Sequence, residues 1–219
     1  ILLVLILVGM HIMVALGLVG FAGMIALATI GAATSGVSTI FYSITASFHF
    51  SVVPMFLLMG FFAMPAGLGA DLFNAASKWL GRLPGGLAIA TTIGAAAFGA
   101  ASGSSVGTAT LFTKLALPEM LKHGYDKGLA SASIAISGTL AVLIPPSALV
   151  VVYGILTDAS IGKLLMAGLI PGILLTIMIC LATLFRVMLN PSLAPKIQER
   201  FTFREKIWSL RMTGPLILI

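Results

Sequence analysis

A chain of 219 residues in which 59% are hydrophobic and only 8% charged lies far from an ordinary soluble domain, which is about 45–50% apolar and about 25% charged. Twelve Lys and Arg outnumber six Asp and Glu, but no charged residue precedes Asp71, so the excess cannot form a nucleic-acid-binding face spread along the chain and instead marks one side of a lipid bilayer. The single cysteine, Cys180, sits in an apolar run and excludes an internal disulfide or a Cys-based metal cluster.

Residues 1–70, 83–113, 128–157 and 164–185 are free of charge, and a membrane-crossing helix needs ~20 predominantly apolar residues. In chain order the pattern predicts N-terminal transmembrane helices over 1–70. The run from Ile1 to Val8 reads as the stump of a first helix, and Gly9 and His11 interrupt it. Residues 12–31 form the first complete span, and Gly31 to Ser51 is rich in Ser and Thr. Over 71–85 the character changes: Asp71, Asn74, Lys78 and Arg82 repeat at helical spacing, opposite Leu72, Phe73, Ala76, Trp79, Leu80 and Leu83. That predicts a helix lying in the membrane interface, with Asp71 and the two basic residues placed to suit the helix dipole.

Residues 86–123 are predicted to form a re-entrant hairpin, on an argument from charge. If the 31 uncharged residues 83–113 crossed once, three basic residues would lie outside and nine inside. If they enter and return, every Lys and Arg except Lys163 falls on the cytoplasmic side, eleven against one. The tip falls at Ala101-Ser102-Gly103-Ser104-Ser105, and irregular backbone at that depth must be buried in protein or line a watery cavity.

The segment 124–158 is predicted to be a broken transmembrane helix. In a continuing helix Pro145 and Pro146 would leave the carbonyls of Ala141 and Val142 without donors. One isolated proline is commonly a packing kink. Two adjacent prolines together with a Ser/Gly hairpin tip point to an ion or substrate site, because broken helices build such sites near the midplane. A further span follows over 159–190, with Ser160 placed to cap it and Asp158 favouring its N-terminus. Residues 191–212 read as a cytoplasmic linker and interfacial helix with Trp208. Residues 213–219 read as the start of another span, so the chain reads as a fragment of a longer protein. Glu119, Lys122, His123, Asp126 and Lys127 read as a solvated loop, Gly124 ending one helix and Asp126 capping the next.

These residues resemble the large membrane subunit, the DctM-type M subunit, of tripartite ATP-independent periplasmic (TRAP) transporters. The likeness runs from about Gly9 to Pro191 and covers the N-terminal half of the family fold. Its strings are Ser102-Gly103-Ser104-Ser105, Leu117-Pro118-Glu119-Met120, Gly124-Tyr125-Asp126-Lys127-Gly128, Ile144-Pro145-Pro146-Ser147, Tyr153-Gly154, Ser160-Ile161-Gly162-Lys163-Leu164, Ala167-Gly168 and Pro171-Gly172. The resemblance implies an all-α polytopic membrane protein, one half of an inverted-repeat elevator-type transporter in a bacterial or archaeal inner membrane. It implies sodium-coupled import of an organic acid, such as a C4-dicarboxylate or sugar acid, with no cofactor beyond sodium as the coupling ion. It implies two partners, a small membrane subunit and an extracytoplasmic substrate-binding protein. Carried over by position, sodium is held by Gly103, Ser104 and Ser105 of the tip and by Ala141, Ile144 and Pro146 of the broken helix. Substrate contacts fall to Ser104, Ser105 and Thr108. Ala141 stands where the family usually has Gly, Thr108 where it often has an acid or amide, and His11 where Pro is common.

Two readings from other classes stand beside the carrier. Gly103-Ser104-Ser105-Val106-Gly107 matches the Gly-x-Ser-x-Gly pattern of serine hydrolases, with Ser105 as nucleophile. That chemistry needs a base and a strand-to-helix turn, whereas His11 and His49 lie near span ends, His123 lies in the charged loop, and the flanks are Ala-rich helix. A polar hairpin could also line a passive channel, though no ring of charges or repeated carbonyl filter is present in the sequence.

Overall fold

A computed structural model describes residues 1–46, 48–195 and 202–212. Among them are eleven α-helices and no strand, the all-α architecture predicted from the sequence. The chain forms two compact units, Ile1–Phe50 and Ser51–Ile219.

The first unit holds α1 (Leu2–Leu7), α2 (Ile12–Leu27) and α3 (Ile30–Thr45), each packed on its neighbour. The predicted span over 12–31 is shorter than expected, because α2 stops at Leu27. Thr29 adopts an extended backbone and its hydroxyl accepts the Ala32 N–H at 3.3 Å, which starts α3 in a run with no charge or proline to announce a break.

The second unit begins with α4 (Val52–Ala63) and α5 (Leu68–Leu80), then α6 (Gly86–Ser102) and α7 (Ser105–Lys122). The amphipathic helix starts three residues ahead of Asp71, following Gly67, whose φ of +78° suits glycine. Asp71 still falls in its first turn and Lys78 in its last, while Arg82 lies beyond its end. The helix α7 continues through Lys122, so Glu119 and Lys122 are helical and not part of a loop. Asp126 does cap the next helix, α8 (Lys127–Leu143), its carboxylate accepting the Leu129 N–H at 2.9 Å. The chain goes on through α9 (Ala148–Leu156), α10 (Ile161–Leu189) and α11 (Phe203–Met212). Ser160 precedes α10 as expected, but its side chain makes no capping bond. Residues 196–201 of the predicted linker and the predicted final segment 213–219 lie outside the described residues.

The centre of this unit is three helices side by side: α6 and α8 run in the same direction and α7 runs against both. At one end the Leu87 N–H donates to the Tyr125 hydroxyl at 3.1 Å. Midway the Ser137 hydroxyl lies 3.0 Å from Thr92 Oγ1. Towards the other end Gly99 faces Ala141, and a Cβ on Gly99 would lie 2.7 Å from the Ala141 Cα. Such an approach requires glycine, and the Ala and Gly content of α6 lets nearly its whole surface be buried. Phe73, Phe98 and Phe112 form an aromatic core in one cluster with Ala130 and Ile134 of α8, Phe112 with its ring 6.4 Å from Phe73 and 6.3 Å from Phe98.

Among the described residues, α10 is by length and composition the one helix able to cross a bilayer unaided. The pair α8 and α9, bent by 43°, and the pair α4 and α5, bent by 63°, each qualify as a span when taken together.

Candidate ion and substrate site at two helix breaks

The first break is two residues long. After α6 the chain passes through Gly103, whose φ of +58° turns it back at no steric cost. Ser104 then opens α7 in an extended conformation, and its hydroxyl accepts the Gly107 N–H at 3.1 Å. Across the turn the Ser102 and Thr108 hydroxyls are 3.1 Å apart, tying the two arms together inside the protein. Phe98 and Phe112 continue the antiparallel pairing one step further from the tip.

The second break lies between α8 and α9. The last α8 bond runs from the Ile144 N–H to the Leu140 carbonyl at 2.9 Å, after which Ile144 is extended with ψ 122°. Pro145 and Pro146 have no N–H to offer the Ala141 and Val142 carbonyls, and a residue preceding proline is itself pushed out of the helical region. Ser147 opens α9, yet its side chain makes no capping bond. It is 1% exposed, and its hydroxyl has no hydrogen-bond partner among the described residues. A buried hydroxyl normally finds a partner, and leaving one without costs roughly 1–3 kcal/mol.

The two breaks meet. A Cβ on Gly103 would stand 2.8 Å from the Pro146 carbonyl oxygen, 3.4 Å from the Ala148 nitrogen and 3.6 Å from the Ser147 Cα. Only glycine lets the tip of the hairpin rest against the broken helix. Two helix C-termini, of α6 and α8, and two helix N-termini, of α7 and α9, therefore converge on one place. The C-terminal carbonyls present partial negative charge and suit a cation, and the N-terminal amides suit an anionic group. No Asp, Glu, Lys or Arg occurs over 83–113 or 128–157, so hydroxyls and the backbone supply the polarity.

Of the six positions predicted to hold sodium, Gly103 and Pro146 are brought into direct apposition. Ser104 and Ser105 lie at the tip, half-buried, and the Ser105 carbonyl oxygen would be 3.3 Å from a Cβ on Gly138 of α8. Ala141 is fully buried against Gly99. Ile144 turns towards α10, where a Cβ on Gly172 would meet its side chain at 2.8 Å and its nitrogen at 3.4 Å. Thr108, predicted to touch substrate, is fully buried, with its hydroxyl paired to Ser102. Sequence reasoning passed over Ser147 as a functional residue. Its signal was present, a serine directly after two prolines, but its lack of a partner follows only from how α9 is seated.

A hard cation fits this donor set. The available atoms are hydroxyl and carbonyl oxygens, the preferred ligands of hard cations, and no group of three His, Cys, Asp or Glu that could hold a transition metal is found among the described residues.

Comparison with known proteins agrees with this architecture. A family model described as "Tripartite ATP-independent periplasmic transporter, DctM component" matches residues 1–218. The chain belongs to the DctM family. An isethionate TRAP transporter permease protein of Oleidesulfovibrio alaskensis is 40% identical over 171 residues, 76% of this chain and 26% of that protein. The C4-dicarboxylate TRAP transporter large permease protein of Rhodobacter capsulatus is 31% identical over 229 residues, covering 96% of this chain and 52% of that protein. An ectoine TRAP transporter large permease protein of Halomonas elongata is 36% identical over 172 residues, covering 76% and 40% respectively. This DctM-family chain thus spans between about a quarter and a half of these relatives' length. Its relatives are permeases and not enzymes, and Ser105 opens α7 whereas His123, one of the three histidines, lies just past the other end of that helix.

Proposed function

We propose that the complete protein imports an organic acid across a bacterial or archaeal inner membrane, drawing on a sodium gradient. In this reading α6 and α7 form a re-entrant hairpin, and the crossing of the two breaks holds the coupling ion through the tip and the carbonyls of Ala141, Ile144 and Pro146, with Ser147 as a further ligand. The substrate carboxylate faces the N-terminal ends of α7 and α9, with Ser104, Ser105 and Thr108 nearby. A small membrane subunit and an extracytoplasmic substrate-binding protein complete the transporter, which moves its site by an elevator motion of one half-repeat against a fixed scaffold.

The observation that carries this reading is the apposition of Gly103 with Pro146 beside the unpartnered Ser147 hydroxyl. A site made only of dipoles binds weakly enough to release its ion, as a carrier requires, and irregular backbone survives in a membrane where protein encloses it. The relatives' printed names cover isethionate, C4-dicarboxylates and ectoine, all bearing an acidic group.

The test is uptake into proteoliposomes holding the complete transporter and its binding protein. Uptake is expected to require an inward sodium gradient, and Ser147→Ala is expected to raise the sodium concentration for half-maximal uptake by about tenfold, the loss of one charge-assisted oxygen contact of ~1.4 kcal/mol. Uptake that is equal with and without sodium would refute the coupling. Unchanged sodium dependence in Ser147→Ala would remove that hydroxyl from the site.

A further inference from the structure

A cavity lies at the far end of the hairpin from the tip, with polar and charged side chains around an apolar floor. It has a volume of about 300 Å³ and lies between α5 and α7. Asn74, Ser77 and Lys78 of α5, with Arg82 just beyond it, line one wall, and Glu119 and His123 of α7 line the other. Phe73, Leu87 and Leu115 supply an apolar floor. None of these residues belongs to the crossing of the two breaks.

Three features of this cavity point to its ligand. Lys78 and Arg82 have no acidic partner within ion-pair distance among the described residues, whereas Glu119 is already engaged, 3.1 Å from His123 Nε2 and 3.7 Å from Lys122 Nζ. The positive charge is therefore uncompensated and the negative charge is not. The Ser77 hydroxyl is buried and has no hydrogen-bond partner among the described residues, although a helical serine can ordinarily bond the carbonyl four residues back. Ser77 is among the residues lining this cavity, so a rotation about its χ1 would turn that unpartnered donor towards an acceptor held there. Finally, the cavity sits on an amphipathic helix whose Trp79 is 42% exposed, with the Trp79 indole donating to the Lys206 carbonyl of α11 at 3.2 Å. Tryptophan at such a position marks the headgroup level of a bilayer. Lys78 also borders a neighbouring hollow with Arg204, Glu205 and Trp208.

We infer that this cavity binds the phosphodiester of an anionic phospholipid, with Lys78 and Arg82 facing the phosphate charge, Ser77 and Asn74 donating to its oxygens, and the acyl chains lying along the apolar flanks of α5 and α7. A zwitterionic lipid is disfavoured because Glu119, the one carboxylate lining the cavity, already faces Lys122 and His123 and is not left for its ammonium. A free anion would gain the charge but forgo the apolar floor. Occupation would pin the interfacial helix to the base of the hairpin, at the end opposite the ion site.

The test uses the complete permease, purified in detergent and delipidated, with bound lipid counted by native mass spectrometry during titration with phosphatidylglycerol or phosphatidylcholine. The parent is expected to retain one phosphatidylglycerol at least tenfold more tightly than phosphatidylcholine. Lys78→Ala with Arg82→Ala is expected to weaken phosphatidylglycerol about 30-fold, the share that two interfacial cations contribute towards an anionic lipid. Lys127→Ala with Lys163→Ala removes the same charge from exposed positions elsewhere and is expected to change binding less than twofold. Ser77→Ala is expected to weaken the lipid several-fold while the lipid-free melting temperature holds or rises, since an unpartnered hydroxyl is being removed. Equal losses in the two double variants would overturn the site in favour of diffuse charge. Full retention in Lys78→Ala with Arg82→Ala, or in Ser77→Ala, would do the same. Inorganic phosphate at millimolar concentration is expected neither to displace the lipid nor to shift the melting temperature, and displacement by phosphate alone would overturn the lipid as occupant.

Discussion

Two helices of this protein, α6 and α10, look alike as hydrophobic runs and behave in opposite ways. Almost every residue of α6 is buried in protein, whereas in the 29 residues of α10 only Gly172, Ile179, Thr183 and Val187 are. Large side chains such as Ile170, Leu174, Ile177, Met178 and Leu181 instead point outward from α10. Hydrophobicity cannot explain the contrast, because a lipid chain is as apolar as leucine. Close packing does: Ala and Gly let α6 pack closely against α5, α7 and α8, and the bulk of α10 suits acyl chains. At the level where α8 breaks, α10 approaches the interior through glycines, Gly168 against the Leu143 carbonyl and Gly172 against Ile144.

The sharpest way to break this contrast is to give α6 a residue of the α10 kind. In Gly99→Leu the new side chain meets the Ala141 backbone, which cannot rotate aside, so the expected cost exceeds the ~1–3 kcal/mol of ordinary overpacking. Thermal unfolding of the purified complete permease should show a large fall in melting temperature. A variant as stable as the parent would mean that α6 is not enclosed as described.

A smaller effect is expected where the two ends of the α6–α8 pairing are tied. Tyr125 is 4% exposed and its hydroxyl accepts the Leu87 N–H in the first turn of α6. Tyr125→Phe leaves that donor alone and should cost about 1–3 kcal/mol. Burial also raises the Tyr125 phenol above 10.0, with the Leu87 bond partly opposing the rise. Because the folded value is the higher one, this contribution is complete below about pH 10 and is lost as the pH climbs through the raised value. The parent should therefore lose melting temperature above pH 10 more steeply than Tyr125→Phe, and parallel curves would remove the phenol from the account.

The least effect belongs to α10. Ile177→Ala trims an outward-facing side chain that is 51% exposed and should change stability by no more than ~0.5 kcal/mol. A loss comparable with that of Gly99→Leu would show that α10 packs against protein along its whole length.

What could be read from the sequence follows the reach of each interaction. Both breaks are local chemistry: a glycine that turns the chain, and prolines that withhold an N–H, and each falls where the residues place it. The Asp126 cap is local in the same way. The start of α3 was hidden because Thr29 caps inside an unbroken apolar run, and the early start of α5 was hidden because Leu68 and Gly69 carry none of the polar periodicity that Asp71 begins. The charges of Glu119 and Lys122 read as loop, but a helix end at the membrane surface carries charge equally well. The meeting of Gly103 with Pro146 joins positions more than forty residues apart, and no local pattern fixes that register. The unpartnered Ser77 and Ser147 hydroxyls are likewise products of packing.

The central claim is that the second break exists to free carbonyls for an ion. In Pro145→Ala, Ile144 is released from the restriction that a following proline imposes, and residue 145 regains an N–H able to close on the Ala141 carbonyl. The measurement is sodium-dependent thermal stabilisation of the purified complete transporter, which reports ion binding to the folded state. The predicted result is a melting temperature without sodium at or above the parent's, together with loss of most of the sodium-induced rise. A variant that keeps the parent's full sodium-induced rise would contradict the account and place the ion elsewhere.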